Sequence, residues 1–166
     1  MRQGVRFDLG VIKMSLRDST NKNKSKWPLS TNITVNWGDM DALGHVNHSV
    51  YATWMETARM LYFTRVGMMD LYHSSNIGPI LARIEIDYNF PIVAPDVVDV
   101  KVSVTRIGNS SFDMGYQISS QGNDGKVAAT GNVTGVLIDY SSGKPTPIPQ
   151  EIRNSILNFE AVSEDS

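Results

Sequence analysis

The 166-residue chain has no cysteine. That single absence removes disulfides, a thiol nucleophile and thiolate metal sites. No apolar run is long enough to span a bilayer, and the N-terminus alternates charge with hydrophobe too often to build a signal-peptide core. A cytoplasmic location is the expectation. The sequence holds no G-x-S-x-G elbow, so a serine hydrolase has no support. It holds no G-x-G-x-x-G and no P-loop, which removes the usual dinucleotide and nucleoside-triphosphate readings. Basic residues are scarce beyond the start of the chain. Residues 1–26 carry seven of the fifteen Lys and Arg against two acids, leaving eight bases against fifteen acids elsewhere. An acidic body argues against a nucleic-acid surface, and the basic start reads as a solvated extension.

What is present suits one globular domain, with 41% hydrophobic residues. Residues 1–30 are read as a flexible leader, because 14–30 are polar, rich in Ser, Asn and Lys, and without period. Residues 31–160 are read as the folded domain and 161–166 as a tail. The chain is organised around Val35 to Gly67. A short strand over Ile33–Trp37 leads into a polar loop from Gly38 to Asn47, and then into a helix from about His48 to Val66. Val50, Tyr51, Trp54, Met55, Ala58, Leu61 and Tyr62 recur at three- and four-residue spacing and give that helix one apolar face. Asn47 is the candidate N-cap and Gly67 the stop. Asp39, Asp41, His45 and His48 therefore gather at a helix N-terminus, where free N–H groups and the positive end of the dipole also lie.

From Ile80 the period becomes two. Strands are expected over Ile80–Tyr88, Val98–Thr105, Phe112–Ser119 and Val127–Tyr140, and a closing helix over Gln150–Phe159. Short turns at 108–110 and 122–125 imply antiparallel neighbours. One-sided alternation implies a sheet with one wet face, and only one long helix is available to cover the other. The expected fold is α+β, a curved antiparallel sheet wrapped around one central helix. Its exposed edges favour pairing between copies of the chain.

Asp41-Ala-Leu-Gly-His-Val-Asn-His48, followed by Tyr51 and Glu56-Thr-Ala-Arg59, resembles the hot-dog-fold acyl-CoA thioesterases, and within them the 4-hydroxybenzoyl-CoA thioesterase-like branch. Ile86-Asp-Tyr-Asn-Phe-Pro91, the Gly-Asn-Ser-Ser-Phe turn at 108–112, Ile138-Asp139 and Gly143-Lys-Pro145 extend the similarity over residues 31–160. The resemblance implies that Asp41 is the catalytic carboxylate and that the backbone N–H of His48 polarises the thioester carbonyl. It places Asn47 and Tyr51 at the loop and pocket, and Ser110 and Ser111 near the turn that holds the CoA moiety. Arg106 is the one base before that turn, where some relatives carry several. The resemblance also implies a homodimer or homotetramer with its site between subunits, and no cofactor, since CoA is part of the substrate.

Thioester hydrolysis needs an activated water or a nucleophile, and something to hold charge on the carbonyl oxygen. The thiol leaving group needs little acid assistance, with a pKa near about 8.5 if it behaves like cysteine. Asp41 would serve as nucleophile, through a mixed anhydride, or as general base on water. The His48 amide would supply the oxyanion contact. Against this stands the reading of Asp39 and Asp41 as loop aspartates that bond their own backbone, which is kept for Asp39. His45 is expected to fix the loop by hydrogen bonds, and Arg59 to pair with Glu56 three residues before it. The spacing of Asp41, His45 and His48 matches no metal motif. Two other functions compete. One is an acyl-thioester-binding module without turnover. The other is a hot-dog hydratase or dehydratase, whose Asp-x-x-x-x-His pattern is missed by one residue at Asp41 and His45.

Overall fold

The computed structural model describes residues 26–164, with side chains described to residue 160. Most of the expected leader, residues 1–25, lies outside the described residues, as does the end of the tail. The order begins with β1 (Leu29–Val35) and a 3-10 turn at Trp37–Asp39. It continues with α1 (His48–Arg65), α2 (Met68–Ser75), β2 (Ile77–Tyr88), β3 (Asp96–Ile107) and β4 (Ser111–Ser120). A second 3-10 turn at Gln121–Asn123 leads to β5 (Lys126–Asp139), the two-residue β6 (Lys144–Pro145) and α3 (Gln150–Glu164). β1 starts within the stretch read as leader and stops short of Trp37. The reason is local. Asn36 and Asp39 cap the 3-10 turn reciprocally, the Asp39 carboxylate accepting from the Asn36 N–H at 2.8 Å. The backbone therefore leaves the extended conformation one residue after Val35.

The helix α1 begins and ends where its capping residues require. The Asn47 side chain accepts from the Ser49 N–H at 3.0 Å, and Gly67 turns the chain at φ +79°. The left-handed turn restarts the helix as α2, an eight-residue element. Tyr51, Trp54, Met55, Ala58, Tyr62 and Phe63 of α1 are buried. They meet a sheet of order β1-β3-β4-β5-β2, antiparallel throughout, with β6 added to β5. Val98, Val100 and Val102 of β3, Phe112, Met114, Tyr116 and Ile118 of β4, and Ala129, Val133 and Leu137 of β5 are all buried in the same core. Gly131 of β5 lets the helix approach: a Cβ there would lie 2.7 Å from Met55 Cε. The sheet therefore curls around α1, the α+β arrangement that the alternation implies.

β2 departs from the expected one-sided pattern. Its register shifts between Leu81 and Arg83, which breaks the period-two phase. Ile80, Leu81, Ile84 and Tyr88 are all exposed. Pro79 lies inside the strand, opposite Leu137, because the strand starts three residues before Ile80. Proline is tolerated there since β2 is an edge of the sheet formed by the described residues, with one side of its backbone unpaired among them.

Candidate active site

The loop between β1 and α1 is a small hairpin. Met40 and Val46 form an isolated antiparallel bridge. The Asp41 N–H donates to the His45 carbonyl at 2.9 Å, and the Asn47 N–H donates to the Asp39 carbonyl at 2.8 Å. The loop is tied to the body because the Val46 N–H donates to the Ile92 carbonyl at 2.9 Å. These bonds hold Asp41 at the turn and present the N-terminus of α1 at its base.

Asp39 takes the structural part expected of it, as the cap of the 3-10 turn. Asp41 is partly engaged in the same way: its Oδ1 accepts from the Leu43 N–H at 2.8 Å. Its Oδ2 takes part in no hydrogen bond among the described residues. His45 holds the loop through its carbonyl, while its side chain is exposed and makes no hydrogen bond there. At the helix start, Asn47 takes the Ser49 N–H and Oγ with its side chain and the Val50 N–H with its carbonyl. The His48 N–H is left uncapped, at the positive end of an 18-residue helix. The loop thus offers one open carboxylate oxygen and one open amide donor. Among the described residues no group of three or more His, Asp or Glu side chains is placed to hold a metal ion.

Tyr51 stands one turn into α1 and is buried beside Trp54 and Tyr88, with ring centroids 5.0 Å away in each case. Burial pushes its phenol above the usual tyrosine range, against a backbone hydrogen bond at Ile92 that pulls it down. Tyr88 completes the wall, its hydroxyl donating to the His48 carbonyl at 3.1 Å. Tyr88 is not among the residues expected from the sequence, because nothing in the primary order joins the end of β2 to the start of α1.

The remaining expected residues lie elsewhere. Ser110 and Ser111 sit at the β3–β4 turn, where their carbonyls accept from Leu137 and Gly108, each at 2.7 Å. The Arg106 guanidinium is held by Asp113, and it keeps that carboxyl below the usual carboxylate range. β3 separates the two groups. Asp96 pairs with Val35 next to the Asp41 loop, and Ile107 pairs with Phe112 at the far turn. Twelve residues at about 3.3 Å each make roughly 35 Å of strand between them. One chain therefore brings together Asp41, Asn47, His48 and Tyr51, and leaves Arg106, Ser110 and Ser111 at the opposite end of its sheet.

The expected Glu56–Arg59 pair is not formed: neither residue belongs to the ion pairs among the described residues. Arg59 turns inward instead, against the Tyr116 hydroxyl. That phenol is pushed up to about 12, chiefly by burial, with the Arg59 charge and hydrogen bond pulling the other way.

Comparison with known proteins supplies the context. The model of the thioesterase-like superfamily matches residues 35–156. A crystal structure of a thioesterase from Thermus thermophilus, complexed with coenzyme A and Zn, is 34% identical and superposes with a TM-score of 0.72. That similarity covers 82% of this chain and 96% of the other. The long-chain acyl-CoA thioesterase FadM of Escherichia coli is 24% identical over 128 residues, 77% of this chain and 96% of FadM. The 1,4-dihydroxy-2-naphthoyl-CoA hydrolase of Crocosphaera subtropica is 22% identical over 113 residues, 67% of this chain and 82% of that protein.

Proposed function

This chain belongs to the thioesterase-like superfamily, and from that premise we propose that it hydrolyses acyl-CoA thioesters at the Asp41 loop. The observation that carries the reading is the pairing of an open carboxylate oxygen with an uncapped helix amide in one hairpin loop. In the reaction, the His48 N–H donates to the carbonyl oxygen of the thioester and holds the charge that develops there. Asp41 Oδ2 then either attacks the carbonyl carbon, giving a mixed anhydride that water opens, or takes a proton from an attacking water. Both routes release CoA as a thiol and the acyl group as an acid.

The binding part of the proposal needs a second copy of the chain. Arg106, Ser110 and Ser111, proposed to meet the CoA moiety, are a sheet length away from Asp41. Antiparallel pairing along β2 would lay the Tyr88 end of one subunit beside the Ile77 end of its partner. The turn end of the partner's sheet then approaches the Asp41 loop. The exposed Ile80, Leu81, Ile84 and Tyr88 support that contact. A homodimer, or a tetramer built from it, is the proposed assembly.

Release of free CoA thiol from a panel of aliphatic and aromatic acyl-CoAs is the direct assay. Asp41→Asn keeps the bond from the Leu43 N–H and removes the charge, so turnover should fall by orders of magnitude with the fold intact. Wild-type turnover in that variant would end the assignment.

A further inference from the structure

The segment that ends β2 and leaves it, from Tyr88 to Ile92, touches both halves of the candidate site. At one end the Tyr88 hydroxyl donates to the His48 carbonyl, in the first turn of α1, at 3.1 Å. At the other end the Ile92 carbonyl accepts from the Val46 N–H at 2.9 Å, in the hairpin that carries Asp41. The backbone at Ile92 is also hydrogen-bonded to the Tyr51 hydroxyl. The segment is itself fixed to the sheet. The Asn89 N–H donates to the Ala128 carbonyl at 2.8 Å, the Asn89 Nδ2 donates to the Val127 carbonyl at 3.0 Å, and Ile92 is fully buried. One short piece of chain is therefore a common reference for the Asp41 hairpin and the start of the helix.

We propose that Tyr88 is a positioning residue for thioester hydrolysis, aiming the His48 amide through its bond to the first turn of α1. The inference rests on the acyl-CoA reading and adds a residue to that same site. A helix start holds its direction poorly by itself, because its first N–H groups lack partners within the helix and terminal turns fray. Asn47 secures the turn through Ser49 and Val50, but those bonds are local and move with the helix. A bond from the sheet fixes where the turn points relative to Asp41, and Tyr88 supplies one. Its ring meets the buried Tyr51 edge-on, with centroids 5.0 Å apart and planes at 89°, so the hydroxyl is delivered in a set direction. An oxyanion donor works when it is aimed at the place the charged oxygen takes. A small tilt of the turn therefore lowers rate more than binding.

The same bond contributes little to stability. Tyr88 is 48% exposed, so in a phenylalanine variant water replaces its hydroxyl at the His48 carbonyl. Water satisfies that carbonyl without holding the turn. This difference separates a positioning role from a structural one.

The experiment compares wild type, Tyr88→Phe and Tyr62→Phe in kcat and KM for CoA release, in Tm, and in amide hydrogen exchange along α1. Tyr62→Phe is the structural counterpart. It removes a hydroxyl bond from the same helix to Glu160, about 21 Å along the axis from His48 at about 1.5 Å per residue. Tyr88→Phe should lower kcat roughly two- to tenfold, the range for one neutral hydrogen bond, with KM and Tm close to wild type. Exchange should quicken at the amides of Tyr51 and Ala52, near the helix start, and stay as in wild type at Tyr62 and Phe63. Tyr62→Phe should lower Tm and leave kcat unchanged. Wild-type kcat in Tyr88→Phe would overturn the proposal. A fall in Tm to match that of Tyr62→Phe, or a loss carried by KM alone, would overturn it as well, by giving Tyr88 a structural or a substrate-contact role. A wild type that hydrolyses no acyl-CoA, with faster exchange confined to the helix start in Tyr88→Phe, would keep the tie from Tyr88 to α1 and sink the thioesterase reading. Turnover of acyl-CoA at the same kcat in wild type and Tyr88→Phe would do the reverse.

Discussion

Gly135→Ala tests whether the sheet against α1 is as closely packed as its contacts imply. Gly135 lies in β5, opposite Phe112 on one side and Leu81 on the other. A Cβ at this position would stand 2.4 Å from Phe112 Cζ, and 2.8 and 2.9 Å from Cε2 and Cε1. Favourable carbon contacts lie near about 3.5–4.0 Å, so the ring would have to retreat by about 1 Å. Phe112 is fully buried and braced by Phe63 at 5.7 Å, so its ring yields only by moving α1 or by pressing into the cavity of about 280 Å³ that it lines between α1, α2 and β2. Overpacking of this kind costs about 1–3 kcal/mol. Losing a glycine from a strand returns roughly 0.5–1 kcal/mol through the unfolded chain. The clash is the larger effect, and a net loss of about 1–2 kcal/mol is expected. For a domain of this size that lowers Tm by roughly 2–8 °C. Thermal and urea unfolding, followed by circular dichroism, measure it. The companion Phe112→Leu removes the obstructing ring, so the double variant should lose less than the two single losses combined. An unchanged or raised Tm in Gly135→Ala would refute the claim that the sheet is close-packed around this glycine.

Two further outcomes follow from the site and the core. Asn47→Ala removes the acceptor for the Ser49 N–H and Oγ, so stability should fall by about 1 kcal/mol. Because the same cap sets the attitude of the His48 amide, kcat in the CoA-release assay should fall more than KM changes. Stability should also decline in alkali. Tyr62, buried with its hydroxyl on Glu160 at 2.6 Å, and Tyr116 both have phenols raised above the usual 10, chiefly by burial. Each holds its proton more tightly folded than unfolded. Their contribution is therefore complete below about pH 10 and declines as pH rises above it, through about 12 for Tyr116 and further into alkali for Tyr62. The urea midpoint at pH 8 should exceed that at pH 11, and Tyr62→Phe should flatten part of the difference.

Much of the architecture was legible in the residues. The helical spacing from Val50 to Tyr62, the Asn47 cap and the Gly67 stop lie close together along the chain. Local hydrogen bonding and one apolar face suffice to decide them, and α1 runs from His48 to Arg65 accordingly. The same holds for β3 and β4, whose alternating residues are buried on one face. β2 was less legible, since an edge strand with a bulge buries little on either side and its apolar residues stay exposed. The 3-10 turn at Trp37 was missed because apolar character alone suggested that the strand continued.

The chain's order of residues determined that a carboxylate and a helix start would meet, because one short loop connects Asp41 to His48. It did not determine the state of Asp41, whose Oδ1 is taken by the Leu43 N–H while Oδ2 stays open. Nor did it determine where Arg59 would point. At i,i+3 spacing Glu56 was the nearest partner along the helix, yet the curl of the sheet places Tyr116 on that side of α1. Tyr88 reaches the His48 carbonyl across forty positions of sequence for the same reason. Contacts within a turn or two are governed by backbone geometry, which the residue types carry. Contacts across the sheet depend on register, bulges and curvature, and those arise only when the whole chain packs.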